Sequence, residues 1–320
     1  MRVVIIGGSG HVGTYLVPRL VAAGHEVVAV SRGRRDPYHV HGAWAAVEQH
    51  TIDRSEAEAA GTFGAQIREL KPDAVVDMIC FTLASARQLV EALRGTVQHF
   101  VHCGTLWVHG PSAVVPTTES QRRTPFGDYG IRKASIEAYL MEEARRARFP
   151  ATVLHPGHIV GPGWAPLNPA GHFNPAVFTQ LAAGVELALP NLGLETVHHV
   201  HADDVAQAFE RALAHWGVAV GESFHVVSPA AITLRGYAEA VAEWFGQQAR
   251  LRFLPWPEWC ATVAETEAKA TWDHIAHSPN CSIAKAERLL EYRPRYSSLQ
   301  AVYEAVQWLI AHGQVALPAR

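Results

Sequence analysis

The N-terminus carries the feature that most restricts the fold of this chain. Residues 2–13 read RVVIIGGSGHVG, an apolar run followed at once by Gly7, Gly10 and Gly13 and then by a helical pattern of apolar residues. A strand, a glycine turn and a helix in this order let the backbone approach a pyrophosphate at the positive end of the helix dipole. The spacing GxxGxxG also occurs in turns that bind no ligand. Its place directly after a strand favours a dinucleotide-binding turn that includes His11 and Val12.

The second predicted strand indicates which dinucleotide this turn would hold. Residues 26–30 are followed by Ser31 and Arg32, with Arg34 and Arg35 close behind. Sites that prefer NAD usually have an acidic residue here, which accepts a hydrogen bond from the ribose 2′-hydroxyl. Guanidinium groups suit a 2′-phosphate instead. We therefore expect NADP(H) rather than NAD(H), bound near Ser31 and Arg32; the alternative is a solvated basic loop.

Strand and helix patterns alternate over the first half of the chain. The predicted strands are 3–6, 27–30, 47–52, 74–79, 100–103 and 152–155, and the predicted helices are 11–23, 63–70, 83–93 and 128–148. This alternation predicts an α/β fold with a doubly wound parallel sheet, which binds ligands beyond the carboxyl ends of its strands. We expect residues 1–160 to form the dinucleotide-binding domain. Residues 161–320 would form mainly a smaller, discontinuous C-terminal α/β substrate lobe, with about 197–227 returning to the first domain.

Candidate proton-transfer residues follow the fifth predicted strand. Tyr129 and Lys133 are four residues apart, which on a helix places their Cβ atoms roughly 5–6 Å from each other. A nearby cation favours the phenolate, so we expect the pKa of Tyr129 to fall from about 10 toward neutrality. Thr105, just after the strand, would orient a substrate oxygen beside Tyr129. The alternatives are that the spacing of Tyr129 and Lys133 arises by chance and that Thr105 is an ordinary turn residue.

Several segments together resemble one family. GGSGHVG, HFVHCGTLWVHG, YGIRK, LHPGHIVGPG (154–163), HADDVAQAF (201–209) and SIAKAERLLEYRPRY (282–296) are similar to segments of the extended short-chain dehydrogenases/reductases, the NAD-dependent epimerase/dehydratase group. The resemblance covers nearly the whole chain and implies a Rossmann domain. It also implies that Tyr129 is the acid/base, that Lys133 is its pKa partner and a ribose ligand, and that Thr105 replaces the family's serine or threonine.

The resemblance implies further cofactor contacts. Asp53, after the third strand, matches the acidic residue that usually meets the adenine, and the three glycines would hold the pyrophosphate. Pro156, His158 and Ile159, after the sixth strand, complete the predicted cofactor-binding set. Members of the family often dimerise through two helices, here 83–93 and 128–148, so a homodimer is expected.

Departures from the family pattern bear on the substrate. His155-Pro156 stands where many members have Arg-Pro, and His109-Gly110 where Tyr-Gly is common. The arginine that nucleotide-sugar epimerases carry before the HVxD-like segment corresponds to Val197, and residues 269–281 contain no arginine. Because a diphosphate without arginine is poorly held, a UDP-sugar is not expected. The aromatic and histidine-rich loops instead suit a neutral or ring-shaped small molecule; the candidate contacts are Phe81, Trp107, His109, His158, Trp164 and His172.

The composition restricts other partners. A formal net charge of −3 without a long basic block makes nucleic acid an unlikely partner. None of the 19 histidines has a metal-ligand spacing, and we expect no metal. Four cysteines without a CxxC motif favour reduced thiols in a cytoplasmic protein, and no apolar run is long enough to span a bilayer.

The resulting hypothesis is an NADP(H)-dependent oxidoreductase or epimerase. It would act on a hydroxyl or carbonyl carbon of a sugar-like or cyclic small molecule, by hydride transfer assisted by Tyr129 and Lys133. Sequence does not separate epimerase, dehydratase and ketoreductase. The run GLETVHHVHADD also resembles the branch with plant stem-loop RNA-binding proteins, so the alternative is a non-catalytic nucleotide-sensing or RNA-binding member. That branch often has degraded catalytic residues, whereas this chain retains both Tyr129 and Lys133.

Overall fold

The computed structural model describes residues 1–318 and contains a large parallel sheet. The strands are β1 Arg2–Ile6, β2 Glu26–Ser31, β3 Glu48–Thr51, β4 Ala74–Asp77, β5 His99–Cys103, β6 Ala151–Pro156, β7 His158–Val160, β8 Leu187–Pro190, β9 Thr196–Val197, β10 His199–His201, β11 Ser223–Val226, β12 Ile232–Thr233 and β13 Leu251–Leu254. Among them, β3-β2-β1-β4-β5-β6-β11 form one sheet in this order, with every neighbouring pair parallel.

Some helices cover both faces of this sheet, and others pack in a separate cluster. The helices are α1 Gly13–Ala22, α2 Arg54–Ala59, α3 Phe63–Glu69, α4 Leu83–Leu93, α5 Gly127–Arg146, α6 Ala176–Ala182, α7 Ala202–Ala214, α8 Trp216–Ala219, α9 Leu234–Trp244, α10 Trp256–Cys260, α11 Glu265–Ile275, α12 Ala284–Leu290 and α13 Ser298–Ala311. Successive residues of a strand point to opposite faces and both faces of this strand are covered, which explains why β1 is apolar from Val3 to Ile6. Val3 and Ile5 pack with α1 and α7, whereas Val4 and Ile6 pack with α3, α4 and α5. The predicted doubly wound fold is confirmed.

A second group of elements has its own core. Phe178, Leu181, Tyr237, Val241 and Trp259 belong to a separate apolar cluster that also includes one side of α13. Three two-stranded sheets, β7 with β10, β8 with β13 and β9 with β12, accompany this cluster. Within the segment 197–227, β11 joins the large sheet and α7 packs on its first core, while β10 pairs outside it. Residues 319 and 320, the end of the predicted substrate lobe, lie outside the described residues.

Several helices and strands begin or end at other residues than predicted, because of the turns that flank them. The helix predicted over 11–23 begins at Gly13, because His11 and Val12 belong to the glycine turn. The strand predicted over 47–52 is reduced to β3 and is preceded by a short 3-10 helix, Gly42–Ala46. The strand predicted over 74–79 ends at Asp77, whose carboxylate accepts a hydrogen bond from the Ile79 amide at 3.3 Å and so turns the chain.

Candidate active site

The glycine turn between β1 and α1 has the close approaches that glycine permits. Gly7 adopts a φ of +92°, a region that side chains disfavour. A Cβ on Gly13 would lie 2.0 Å from the carbonyl oxygen of Gly8, so the helix could not start this close to the turn with any other residue. Val12 provides no side-chain cap and the first turn of α1 has no acidic residue. The positive end of the helix dipole therefore meets no competing carboxylate, which fits a pyrophosphate.

A groove of about 350 Å³ continues from this turn along the carboxyl ends of β1, β2 and β3. This glycine-turn groove is lined by Ile6, Gly7, Ser9, Gly10, Val30, Ser31, Arg32, Arg34, Arg35, Ile52, Asp53, Arg54, Ser55, Phe63, Ile79 and Phe81. The Asp53 carboxylate caps α2 by accepting from the Ser55 amide at 3.0 Å, and it lies 3.5 Å from Arg34. An apolar slot edged by guanidinium groups fits the adenosine half of a dinucleotide.

Tyr129, Lys133 and Thr105 come together where β4 and β5 end. Tyr129 and Lys133 occupy successive turns of α5, and the buried ammonium of Lys133 donates to the carbonyl oxygens of Cys80 at 2.8 Å and Cys103 at 2.7 Å. Thr105 follows β5 and starts a 3-10 turn, accepting from the Trp107 amide at 3.3 Å. Thr105 and Tyr129 line one cleft. The structure therefore groups the three predicted residues at one edge of the sheet.

The prediction that the pKa of Tyr129 falls toward neutrality is wrong. Although 42% of this residue is exposed, the surrounding protein desolvates the phenolate and raises its pKa to about 12, and the Cys103 thiol acts in the same direction. The neighbouring Thr105 hydroxyl, rather than Lys133, opposes this shift. The helical spacing brought the two Cβ atoms together, but the Lys133 ammonium is engaged by the two carbonyls. Burial lowers the pKa of Lys133 itself.

The cleft beside Tyr129 has a volume of about 420 Å³ and no charged wall. This tyrosine cleft is lined by Thr105, Leu106, Trp107, Tyr129, Pro156, Gly157, His158, Ile159, Trp164, Phe173, His198, His274 and Pro279, with no Lys, Arg, Asp or Glu among these residues of the described chain. Burial lowers the pKa of His158 well below its usual value and that of His274 to about 4. Both imidazoles are therefore neutral near pH 7, and the cleft suits an uncharged molecule.

The structure brings some predicted contacts to this cleft and others elsewhere. Trp107, Trp164, His158, Pro156 and Ile159 line it. Trp107 meets the ring of Tyr129 edge-on at 5.6 Å, and Trp164 packs against His11 at 4.7 Å. His11 is buried beneath Trp164 and Tyr38, at the junction of the glycine turn and the loop that follows β7.

The structure places three predicted substrate contacts outside the tyrosine cleft. Phe81 lines the glycine-turn groove and lies over the Lys133 ammonium at 4.9 Å. His109 is buried, with its Nε2 atom 2.8 Å from that of His225. His172 is buried against Asn168, whose Nδ2 lies 3.0 Å from the ring Nδ1. Each residue follows a strand in sequence, but the loop then turns its side chain into the core or into the other groove.

Sequence reasoning missed six residues of the cleft lining, which are Leu106, Gly157, Phe173, His198, His274 and Pro279. Phe173 is adjacent to the predicted contact His172, so a shift of one position would have found it. His274 belongs to α11, far from any strand end, and carried no signal in the sequence. Within residues 1–318, no group of three or more His, Cys, Asp or Glu side chains is arranged to hold a metal ion. The same residues include no helix with the length and apolarity needed to cross a membrane.

Comparison with known proteins agrees with this geometry. The NAD dependent epimerase/dehydratase family model matches residues 3–226. The chain is 28% identical to 2′-dehydrokanamycin reductase from Streptomyces kanamyceticus, over 98% of this chain and 86% of that protein. It is 24% identical to the chloroplast stem-loop binding protein of 41 kDa b from Arabidopsis thaliana, over 76% of this chain and 62% of that protein.

The solved structure of UDP-glucose 4-epimerase from Thermotoga maritima has the same fold, with a TM-score of 0.73, 20% identity and coverage of 98% of this chain and 99% of that one. A family model that matches this much of the chain settles its membership. The protein belongs to the NAD-dependent epimerase/dehydratase family and is an enzyme of the short-chain dehydrogenase/reductase type.

Proposed function

We propose that this enzyme is an NADP(H)-dependent oxidoreductase or epimerase that acts on a hydroxyl or carbonyl carbon of a neutral, sugar-like or cyclic small molecule. The observation that carries the proposal is the placement of Tyr129 and Thr105 in one uncharged cleft, with Lys133 one helical turn away. The glycine-turn groove would hold the cofactor, which supplies or accepts the hydride when bound.

The raised pKa of Tyr129 supports a role as proton donor in the reducing direction. With a pKa of about 12, the phenol is protonated near neutral pH and can donate to the oxygen of a bound ketone. Thr105 orients that oxygen beside the phenol. Once the proton has passed to the substrate, a tyrosinate remains, and the Thr105 hydroxyl, which lowers the pKa of Tyr129, can donate a hydrogen bond to it. In the oxidising direction the tyrosinate form of Tyr129, which becomes more populated as the pH rises toward about 12, accepts the proton of the substrate hydroxyl.

The walls of the tyrosine cleft support a neutral substrate. Trp107, Trp164 and Phe173 offer apolar ring faces, which suit the apolar face of a cyclic molecule. Neutral His158 and His274 can exchange hydrogen bonds with hydroxyl groups. The lining provides no guanidinium for a diphosphate, which argues against a nucleotide-sugar. The similarity to 2′-dehydrokanamycin reductase favours net reduction of a ketone over epimerisation.

The arginines at the end of β2 support NADP(H). Arg32 and Arg34 line the glycine-turn groove, where no carboxylate follows β2 directly to accept from a ribose 2′-hydroxyl. The nearest acidic residue of the groove, Asp53, already caps α2 and lies beside Arg34. Added phosphate charge would therefore meet guanidinium groups rather than carboxylates.

The test is Tyr129→Phe, with Tyr139→Phe as a matched control farther along α5. Oxidation of NADPH is followed with a panel of neutral cyclic ketones: hydroxycyclohexanone, a keto-inositol and a methyl ketoglucoside. Because the phenol oxygen is the proton donor, Tyr129→Phe should lower kcat by about 100-fold or more and leave NADPH affinity within about twofold. Tyr139→Phe should match the wild type. Equal turnover in the two variants would refute the assignment of Tyr129.

A further inference from the structure

A buried series of polar groups connects Arg123 to the backbone of Thr105. Arg123 donates to both oxygens of Glu137, through Nε at 3.0 Å and Nη2 at 2.6 Å. His155 Nε2 lies 3.0 Å from Glu137 Oε1, and the Thr105 amide donates to His155 Nδ1 at 3.1 Å. Glu137, His155 and Thr105 are all buried. The series therefore ends on the residue that is proposed to orient the substrate oxygen.

The two neighbours of His155 fix the tautomer of its ring. An amide N–H can only donate, so Nδ1 must carry a lone pair to receive the Thr105 amide. Glu137 is a carboxylate held by Arg123, and it can only accept, so Nε2 must carry the proton. A second proton on the ring would place two donors against each other at Thr105. The arrangement thus requires the neutral Nε2–H form.

The fold brings this histidine unusually close to the turn that carries Thr105. His155 lies near the end of β6, beside β5. A Cβ on Gly104 would lie 2.4 Å from His155 Nδ1, so only glycine leaves room for the ring beneath the turn. On the opposite side, Glu137 continues the four-residue steps of Tyr129 and Lys133 along α5. One helix therefore supplies both the proposed proton donor and the group that orients His155.

We propose that His155 is a positioning residue: oriented by Glu137, it holds the Thr105 amide and thereby the Thr105 hydroxyl in the tyrosine cleft. The role of Thr105 in turnover rests on the proposed function, whereas the ring tautomer and the amide hydrogen bond do not.

Two substitutions test the roles of Nδ1 and Nε2 of His155 separately. The amide oxygen of asparagine lies close to the place of histidine Nδ1, and the amide nitrogen of glutamine close to that of Nε2. His155→Asn keeps an acceptor for Thr105 and loses the donor to Glu137. His155→Gln keeps the donor and loses the acceptor. Both substitutions replace the imidazole ring with a side-chain amide, so each variant is a control for the other.

The experiment combines nitrogen NMR, hydrogen exchange and kinetics on the full-length protein. In ¹⁵N-histidine-labelled protein we expect a protonated Nε2 and a bare Nδ1 for His155. Exchange of the Thr105 amide should be at least about tenfold faster in His155→Gln than in His155→Asn. With NADPH and the ketone of the panel that the wild type reduces fastest, kcat should fall by about tenfold or more in His155→Gln, with KM within about twofold. His155→Asn should lose less kcat but melt a few degrees lower than His155→Gln.

Three results would overturn the positioning role. One is a protonated Nδ1 on His155, and another is equal Thr105 amide exchange in the two variants. The third is a loss of kcat that follows the melting temperature rather than the acceptor at Nδ1. Failure of the proposed function gives a different pattern, in which Tyr129→Phe keeps full turnover while the tautomer and the amide exchange still follow the expectation.

Discussion

Glu137→Gln tests how much the buried carboxylate between Arg123 and His155 contributes to the free energy of unfolding. The carboxylate receives two hydrogen bonds from Arg123 and one from His155, and its side chain is 7% exposed. Breaking a buried ion pair by removing one partner costs about 3–5 kcal/mol. Arg123 keeps its bonds to the carbonyl oxygens of Glu119 at 2.7 Å and Gln121 at 2.9 Å, and its side chain is 23% exposed. We therefore expect a loss of about 2–4 kcal/mol in the free energy of unfolding.

Glu142→Gln on the same helix is the matched control. Glu142 pairs with Arg146 at 2.6 Å, but these side chains are 55% and 81% exposed. An exposed pair of this kind contributes about 0.5 kcal/mol or less. Urea denaturation of the two variants and the wild type measures the difference. A cost for Glu137→Gln within about 0.5 kcal/mol of that for Glu142→Gln would refute the reasoning.

The difference in free energy of unfolding between the wild type and Glu137→Gln should depend on pH. Burial alone would raise the pKa of Glu137, but the hydrogen bonds from His155 and Arg123 and the positive charge of Arg123 outweigh it and hold the pKa well below its usual value. A depressed folded pKa contributes stability that is present above the unfolded value of about 4.3 and is lost as the pH falls below it. The gap between wild type and Glu137→Gln should therefore shrink in acid. A gap that widens below pH 4 would contradict this sign.

Two further predictions concern the glycine-turn groove. Gly13→Ala should lower the free energy of unfolding by about 2 kcal/mol or more and weaken NADPH binding, since its Cβ would clash with the Gly8 carbonyl at 2.0 Å. Gly217→Ala, with nothing within 4 Å of the added atom, is the control in urea denaturation, and equal costs would contradict the close approach. Arg32→Glu should weaken NADPH by about tenfold or more and NADH by about twofold or less, measured by cofactor fluorescence. Arg146→Glu should change neither affinity, and an equal effect of Arg32→Glu on the two cofactors would remove Arg32 from the phosphate site.

The spacing of apolar residues and glycines was sufficient to predict the parallel sheet and the glycine turn. The apolar run of β1 and the glycines behind it have one low-energy arrangement, and the structure has it. Side-chain direction at the ends of the strands was not predictable in the same way. His109 and Trp107 share one 3-10 turn, yet the first is buried against His225 and the second lines the tyrosine cleft. A sequence pattern indicates where a loop begins, whereas the packing of distant elements decides which side it presents.

The same limit explains the error about Tyr129. A spacing of four residues determines the separation of the Cβ atoms, but a lysine has four further carbon–carbon or carbon–nitrogen bonds along which to reach other acceptors. Lys133 uses them to meet the carbonyls of Cys80 and Cys103. The Cys80 carbonyl belongs to the turn after β4 and the Cys103 carbonyl to the last residue of β5, and both are remote in sequence from α5. Only the assembled sheet places them together.

The late position of β11 in the chain has a consequence for biosynthesis. β6 pairs with β11 on its outer side, and α1 packs against α7, where Arg19 Nε donates to Asp203 at 2.8 Å. While the ribosome has made only about half of the polypeptide, the backbone groups on one side of β6 have no neighbour and the apolar side of α1 faces water. An unpaired strand of this kind recruits strands from other nascent chains. We therefore expect a fragment that ends at residue 160 to aggregate, and the intact polypeptide to acquire protease resistance only after β11 has left the exit tunnel.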